Sequence, residues 1–116
     1  MRQTIKSDCN VFDKDSVEKV KASIPKNLFN SMQSILSVLA DPTRLKIVYF
    51  LSQNEFCVSD ISVLLNMSKS AISHQLSLLK KTSIIEPRRE GKNLYYSIAS
   101  DKSDIIQALF LIFINK

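Results

Sequence analysis

A chain of 116 residues that is 45% hydrophobic, with one Gly and no Trp, is long enough for one domain with a modest core. Its net charge of +5 is unevenly spread, with eight Lys/Arg against seven Asp/Glu in residues 1–60 and eight against four in residues 61–116, so the basic excess sits in the second half and suits a polyanion such as nucleic acid. The same composition argues against an enzyme: one His, no paired carboxylates, no nucleophile beside a base and no Gly-rich phosphate loop leave little for acid-base or transfer chemistry.

Residues 1–14 read as a polar arm carrying Cys9 and Asp13, and residues 15–116 as a single domain. The arm has Asp8 and Asp13 and no apolar stretch of the kind a secretory signal needs, so a cytoplasmic location is expected, with both cysteines reduced or metal-bound. A short helix is expected over Asp15–Ala22, stopped ahead of Pro25. Leu28, Met32, Ile35, Leu36 and Leu39 then recur at helical spacing and predict a longer amphipathic helix ending near Ala40. Asp41-Pro42 places a capping residue before a Pro at the first helical position, opening a helix through Leu45, Ile47, Val48 and Leu51 that stops around Ser52–Asn54.

The next three segments carry the functional signal. Phe56 to Asn66 is expected to be a short helix, and only Met67-Ser68 separates it from a second one over residues 68–81, which is helix-turn-helix spacing. In that second helix Ile72, Leu76 and Leu79 line one apolar stripe, Ser68 can cap the first turn, and Lys69, Ser70, Ser73, His74 and Gln75 are left outward near the N-terminal half, where a recognition helix meets base edges. Taken alone, the segment fits a solvated surface helix equally well. Ile84–Glu90 and Leu94–Ile98 then read as a two-stranded hairpin turning at Gly91-Lys92-Asn93, a basic wing with Arg88, Arg89 and Lys92 at or near its tip. The fold expected is mainly α with a small β-wing, a winged helix-turn-helix.

The last segment, Asp104–Ile114, is apolar on nearly every face and too short for a bilayer, which takes roughly 20 apolar residues. An all-round apolar helix must be buried, and a domain this small has little room to enclose one. A homodimer seam is therefore expected, built from Leu28 and Met32 on the early helix and Ile106, Leu109, Phe110 and Phe113 on the last, in preference to a membrane contact.

Val38-Leu39-Ala40-Asp41-Pro42-Thr43-Arg44-Leu45-Lys46-Ile47, Glu55-Phe56-Cys57-Val58-Ser59-Asp60-Ile61, Ser73-His74-Gln75-Leu76 and Arg88-Arg89-Glu90-Gly91-Lys92 with Tyr95-Tyr96 resemble, in order, the signatures of the ArsR/SmtB family of winged-helix metal-sensing repressors. Cys9-Asn10-Val11-Phe12-Asp13 further resembles the arm of its cadmium- and lead-responsive branch. The resemblance implies a dimer that sits on operator DNA and leaves it when cadmium, lead or zinc binds, derepressing metal-efflux or resistance genes.

It also implies a ligand set of Cys9, Asp13 and Cys57, completed by Asp60, Ser59 or water. Here the chain departs from the branch: Ser59 stands in place of the helix's second thiolate and Asp13 in place of the arm's second cysteine, and mixed sulfur and oxygen donors also suit zinc. The family's other metal site, across the C-terminal helices, keeps Asp101 but has Ser103 and Ile114 in place of histidines, so it is not expected. Thr82-Ser83-Ile84 lacks the Gly that usually ends the recognition helix, so either Ser83 takes a left-handed conformation at roughly 1 kcal/mol or the helix ends differently. A lone Cys57 also fits a small core hydrophobe, and Cys9 with Cys57 also fits an oxidant sensor or a regulator without an inducer site.

Overall fold

The computed structural model describes residues 13–114, which divide into two units between Met32 and Gln33. In the first, Asp13 caps helix α1 (Lys14–Ser23): its Oδ1 accepts from the Asp15 N–H at 3.1 Å and its Oδ2 from the Ser16 hydroxyl at 2.8 Å. The helix ends before Pro25, at an extended Ile24, and none of its residues is buried. Helix α2 (Leu28–Leu39) follows.

The second unit is built around a helix-turn-helix. Asp41 Oδ2 accepts from the Arg44 N–H at 3.0 Å and caps α3 (Pro42–Gln53), with Pro42 in the first turn where its missing donor costs nothing. Phe56–Cys57 form a short strand, β1, and α4 (Val58–Leu65) begins only after it. The helix expected from Phe56 is therefore corrected: Cys57 is extended (φ −91, ψ 173) and serves as the helix cap, and Phe56 and Cys57 pair antiparallel with Tyr96 and Tyr95. With β2 (Ile85–Glu90) and β3 (Asn93–Ile98) this makes a three-stranded sheet in the order β1-β3-β2, where a two-stranded hairpin was expected. A 3₁₀ turn (Ser100–Lys102) leads into α6 (Ser103–Ile114).

Two left-handed residues shape the helix-turn-helix, the head of this unit. Asn66 (φ +54) closes α4, with the Met67 N–H bonded to the Ser62 carbonyl at 3.0 Å, and Ser68 Oγ then accepts from the Ala71 N–H at 3.1 Å to start α5 (Lys69–Lys81). At the far end Ser83 (φ +60) takes the left-handed position in place of Gly. Its N–H bonds the Lys80 carbonyl at 3.0 Å and the Ile84 N–H bonds the Leu79 carbonyl at 3.3 Å, the paired bonds of a Schellman ending. Leu79 and Ile84 are both in the core, so apolar burial offsets the strain of a β-carbon in this region.

The core of the second unit joins Ile47, Val48 and Leu51 of α3, Ile61 of α4, Ile72, Leu76 and Leu79 of α5, Ile84 just before β2 and Ile85 at its start. The apolar stripe expected on α5 is thus the face it buries. Ile106 of α6 belongs to this core as well, 3% exposed. Its expected place in an intersubunit seam is corrected, because the protomer already encloses it.

Candidate nucleic-acid interface

With Ile72, Leu76 and Leu79 turned inward, α5 presents Lys69, Ser70, Ser73 and His74 to solvent, and Ser77, Lys80 and Lys81 beyond them. Small hydroxyls let the helix approach closely, while Lys69 adds charge at an end where the helix dipole is already positive. Ser68 is exposed with its hydroxyl oxygen committed to the cap. Gln75 is different: it is half-buried, and its Oε1 accepts from Arg44 Nη1 at 3.0 Å. Arg44 also donates through Nε to the Val38 carbonyl at 2.8 Å. Arg44 did not stand out in the sequence as a site residue, since its partners lie 31 residues ahead and six residues back.

The wing turns at Gly91 (φ +62), the left-handed position where an absent β-carbon removes the strain. Its three cations are not equivalent. Arg88 Nη2 meets Glu55 Oε1 at 2.9 Å, its Nε meets Glu55 Oε2 at 3.1 Å, and its Nη1 meets Glu90 Oε2 at 3.2 Å. The guanidinium also stands over the Tyr95 ring, 5.3 Å from its centroid. Hydrogen bonding from Arg88 holds the Glu55 carboxyl below the usual carboxylate range, and the two carboxylates push Arg88 still further toward permanent charge. Arg88 therefore ties the wing to the α3–β1 connection, and much of its charge is answered. Arg89 and Lys92 are exposed and make no ion pair among the described residues.

Of the metal-ligand candidates, the structure brings Cys57 and Asp60 together. Cys57 is half-buried at the β1–α4 junction, and its Sγ–H and backbone N–H both donate to Asp60 Oδ2 at 3.2 Å. Asp13 lies in the other unit, capping α1, and Cys9 lies outside the described residues. Among the described residues no group of three or more His, Cys, Asp or Glu is gathered to hold a metal ion. Cys57 and Asp60 offer one sulfur and one oxygen, half of a tetrahedral set, so a complete site needs donors from elsewhere.

The helices expected at the seam are open where Ile106 is not. Leu36 and Phe113 are 56% and 66% exposed, and with Leu39, Leu45, Leu109 and Phe110 they line an apolar hollow of about 430 Å³ between α2, α3 and α6. Met32 is exposed and Leu28 half-buried. No helix among the described residues is long and apolar enough to cross a membrane.

A capped recognition helix after a tight turn, followed by a cation-tipped β-hairpin, defines the winged helix-turn-helix class. The family model of the bacterial regulatory proteins of the arsR family matches residues 41–86, which span α3 to the start of the wing. The chain is 34% identical over 99 residues to a cadmium resistance transcriptional regulatory protein CadC homolog of Staphylococcus aureus, covering 84% of this chain and 82% of that one. It is 41% identical over 70 residues to a transcriptional repressor SmtB homolog of Synechocystis, covering 60% of this chain and 53%, about half, of that protein. Among solved structures, the homodimeric winged helix-turn-helix DNA-binding domain of Mb0332 from Mycobacterium bovis, a possible ArsR-family regulator, superposes with a TM-score of 0.68 at 29% identity, over 81% of this chain and 90% of that one. This chain belongs to the ArsR/SmtB family, whose members are DNA-binding transcriptional regulators and not enzymes.

Proposed function

We propose that this protein is a repressor that binds operator DNA as a homodimer and releases it in response to a thiophilic divalent metal ion, cadmium, lead or zinc, so controlling metal-efflux or resistance genes in the cytoplasm. The observation that carries the DNA half is the outward face of α5, where Lys69, Ser70, Ser73 and His74 are exposed together on a helix whose opposite side is fully packed. In the major groove Ser73, His74 and Gln75 meet base edges, while Ser68, Lys69 and Ser70 hold the flanking phosphate. Arg89 and Lys92 reach the neighbouring backbone from the wing tip, and Arg88 braces the wing that carries them. Two copies joined through Leu28, Met32, Leu109, Phe110 and Phe113 set two reading heads on an inverted repeat whose half-sites lie roughly 10 bp apart.

For the metal half, Cys57 and Asp60 supply the reading-head donors, and Cys9 and Asp13 of the 1–14 arm the remainder. A bound ion would supply a cross-link between arm and reading head, with the Cys57 thiol releasing to solvent the proton it now donates to Asp60 so that sulfur and carboxylate could both act as ligands. Cys57 pairs in register with Tyr95, and the Tyr95 ring carries Arg88, so a shift at β1 reaches the wing through one strand pairing. A coupling of about 1–3 kcal/mol is enough to weaken operator binding five- to 150-fold. The test is titration of the reduced full-length dimer with zinc and with cadmium, followed by ultraviolet absorption. Thiolate-to-metal charge transfer at a fixed stoichiometry, lost in Cys9→Ser and in Cys57→Ser, is the expected result. Absence of that band, or its persistence in Cys57→Ser, overturns the metal half and leaves the DNA half standing.

A further inference from the structure

We infer that Arg44 sets the chemical polarity of Gln75, making it a donor-only reader that selects guanine or thymine and rejects adenine. The inference deepens the DNA-reading role proposed for α5 and rests on it. A guanidinium has five N–H donors and no acceptor, so the Gln75 atom 3.0 Å from Arg44 Nη1 is the carbonyl oxygen, and the carboxamide has one orientation. The Arg44 side chain is itself fixed at a further point, where its Nε bonds the Val38 carbonyl at 2.8 Å. The guanidinium cannot follow Gln75 into a groove without giving up that contact.

An untethered Gln pairs bidentately with adenine, donating to N7 and accepting from N6–H. In this protein the accepting half of that pair already holds a permanent cation, and a guanidinium beside the carbonyl disfavours approach of the positively polarised adenine amino group. What Gln75 retains is its Nε2, which has two N–H donors and no other partner among the described residues. Acceptor-only edges satisfy it: N7 and O6 of guanine, or O4 of thymine. Gln75 is also half-buried, whereas Ser73 and His74 beside it are exposed, as expected of a side chain drawn toward α3.

The experiment selects duplexes with a randomised central segment using full-length wild type, Gln75→Ala, Gln75→Glu, Arg44→Met and Arg44→Lys, with a melting curve on each. The wild type is expected to enrich guanine or thymine at the position where Gln75→Ala loses its preference. Arg44→Met should shift adenine against guanine at that position alone by about tenfold, one good hydrogen bond's worth of discrimination. Arg44→Lys should fall between, because an ammonium donates but cannot hold Val38 and Gln75 together. Gln75→Glu keeps the acceptor for Arg44 and lacks the donor, so it should lose the preference while still folding, which keeps the idea testable if Arg44→Met does not fold. Adenine enriched by the wild type at that position, an unchanged motif in Arg44→Met, or a uniform loss across all sequences overturns the inference. A wild type that enriches no motif at all overturns the DNA-reading role itself, a separate outcome.

Discussion

The reading head and the seam helices are finished to different degrees. In the head, Ile47, Ile61, Ile72, Leu79 and Ile84 have no solvent exposure and the exposed residues of α5 are polar, with Val63 (81% exposed) and Leu64 (43%) of α4 the main apolar exceptions. Along α2 and α6, Leu36, Leu111, Ile112 and Phe113 are each half or more exposed, and Leu36 and Phe113 border an apolar hollow. A single chain can pack its own DNA-reading unit and still leave apolar surface that water does not tolerate in bulk. In the proposed homodimer, the contrast separates the unit that packs within one protomer from the apolar faces that a second copy would cover.

The largest effect should come from breaking the head. Leu76→Ala removes a side chain that is 1% exposed at the centre of the core and should cost about 2–5 kcal/mol, read as a lower denaturant midpoint at unchanged slope. Phe113→Asp tests the other side of the contrast. It should leave the fold intact, since Phe113 is exposed in one protomer, yet yield monomers in sedimentation and a large loss of operator affinity. Ile106→Asp, in contrast, should unfold the protein, because its site lies inside the protomer.

Smaller effects divide the polar face. His74→Ala should cost about 1–3 kcal/mol on operator and much less on random duplex, whereas Arg89→Ala should weaken both and lower the salt slope by about one. Arg88→Ala should change the salt slope less than Arg89→Ala, because Glu55 and Glu90 already answer its charge. The smallest effect is in pH. A carboxyl held below its ordinary value stabilises the fold above that value and loses the contribution as pH falls through its lowered one, so the Glu55 brace should weaken only on acidification. Melting curves of wild type and Glu55→Gln should diverge at neutral pH and converge in acid.

Local signals carried most of the fold. Ser68 before an i, i+4, i+7 stripe, Pro42 after Asp41, and Gly91 between strand-like runs each have a local mechanism, and each stands where its chemistry puts it. The misses were long-range or without phase. The strand at Phe56–Cys57 exists because Tyr95 and Tyr96 are there to pair with it, and nothing within its own two residues announces that. The Arg44–Gln75 and Arg88–Glu55 contacts join residues 31 and 33 apart, so the sequence showed three wing cations as equals and Gln75 as unencumbered. On α6 an apolar residue occupies nearly every position, so periodicity could not tell that Ile106 faces inward while Phe113 does not. Of the proposed metal ligands, Cys57 and Asp60 share a helix cap and stand three residues apart, whereas Cys9 lies outside the described residues.

The central claim is that one molecule couples a metal-binding thiol to the DNA-reading head. Its most direct measurement is fluorescence anisotropy of the reduced full-length protein on its selected duplex, titrated with cadmium or zinc, for wild type and Cys57→Ser. Release of wild type with retention of an equally tight Cys57→Ser complex is the result predicted. Full release of Cys57→Ser by metal, or release of wild type only by an oxidant and its reversal by a thiol reductant, would contradict it.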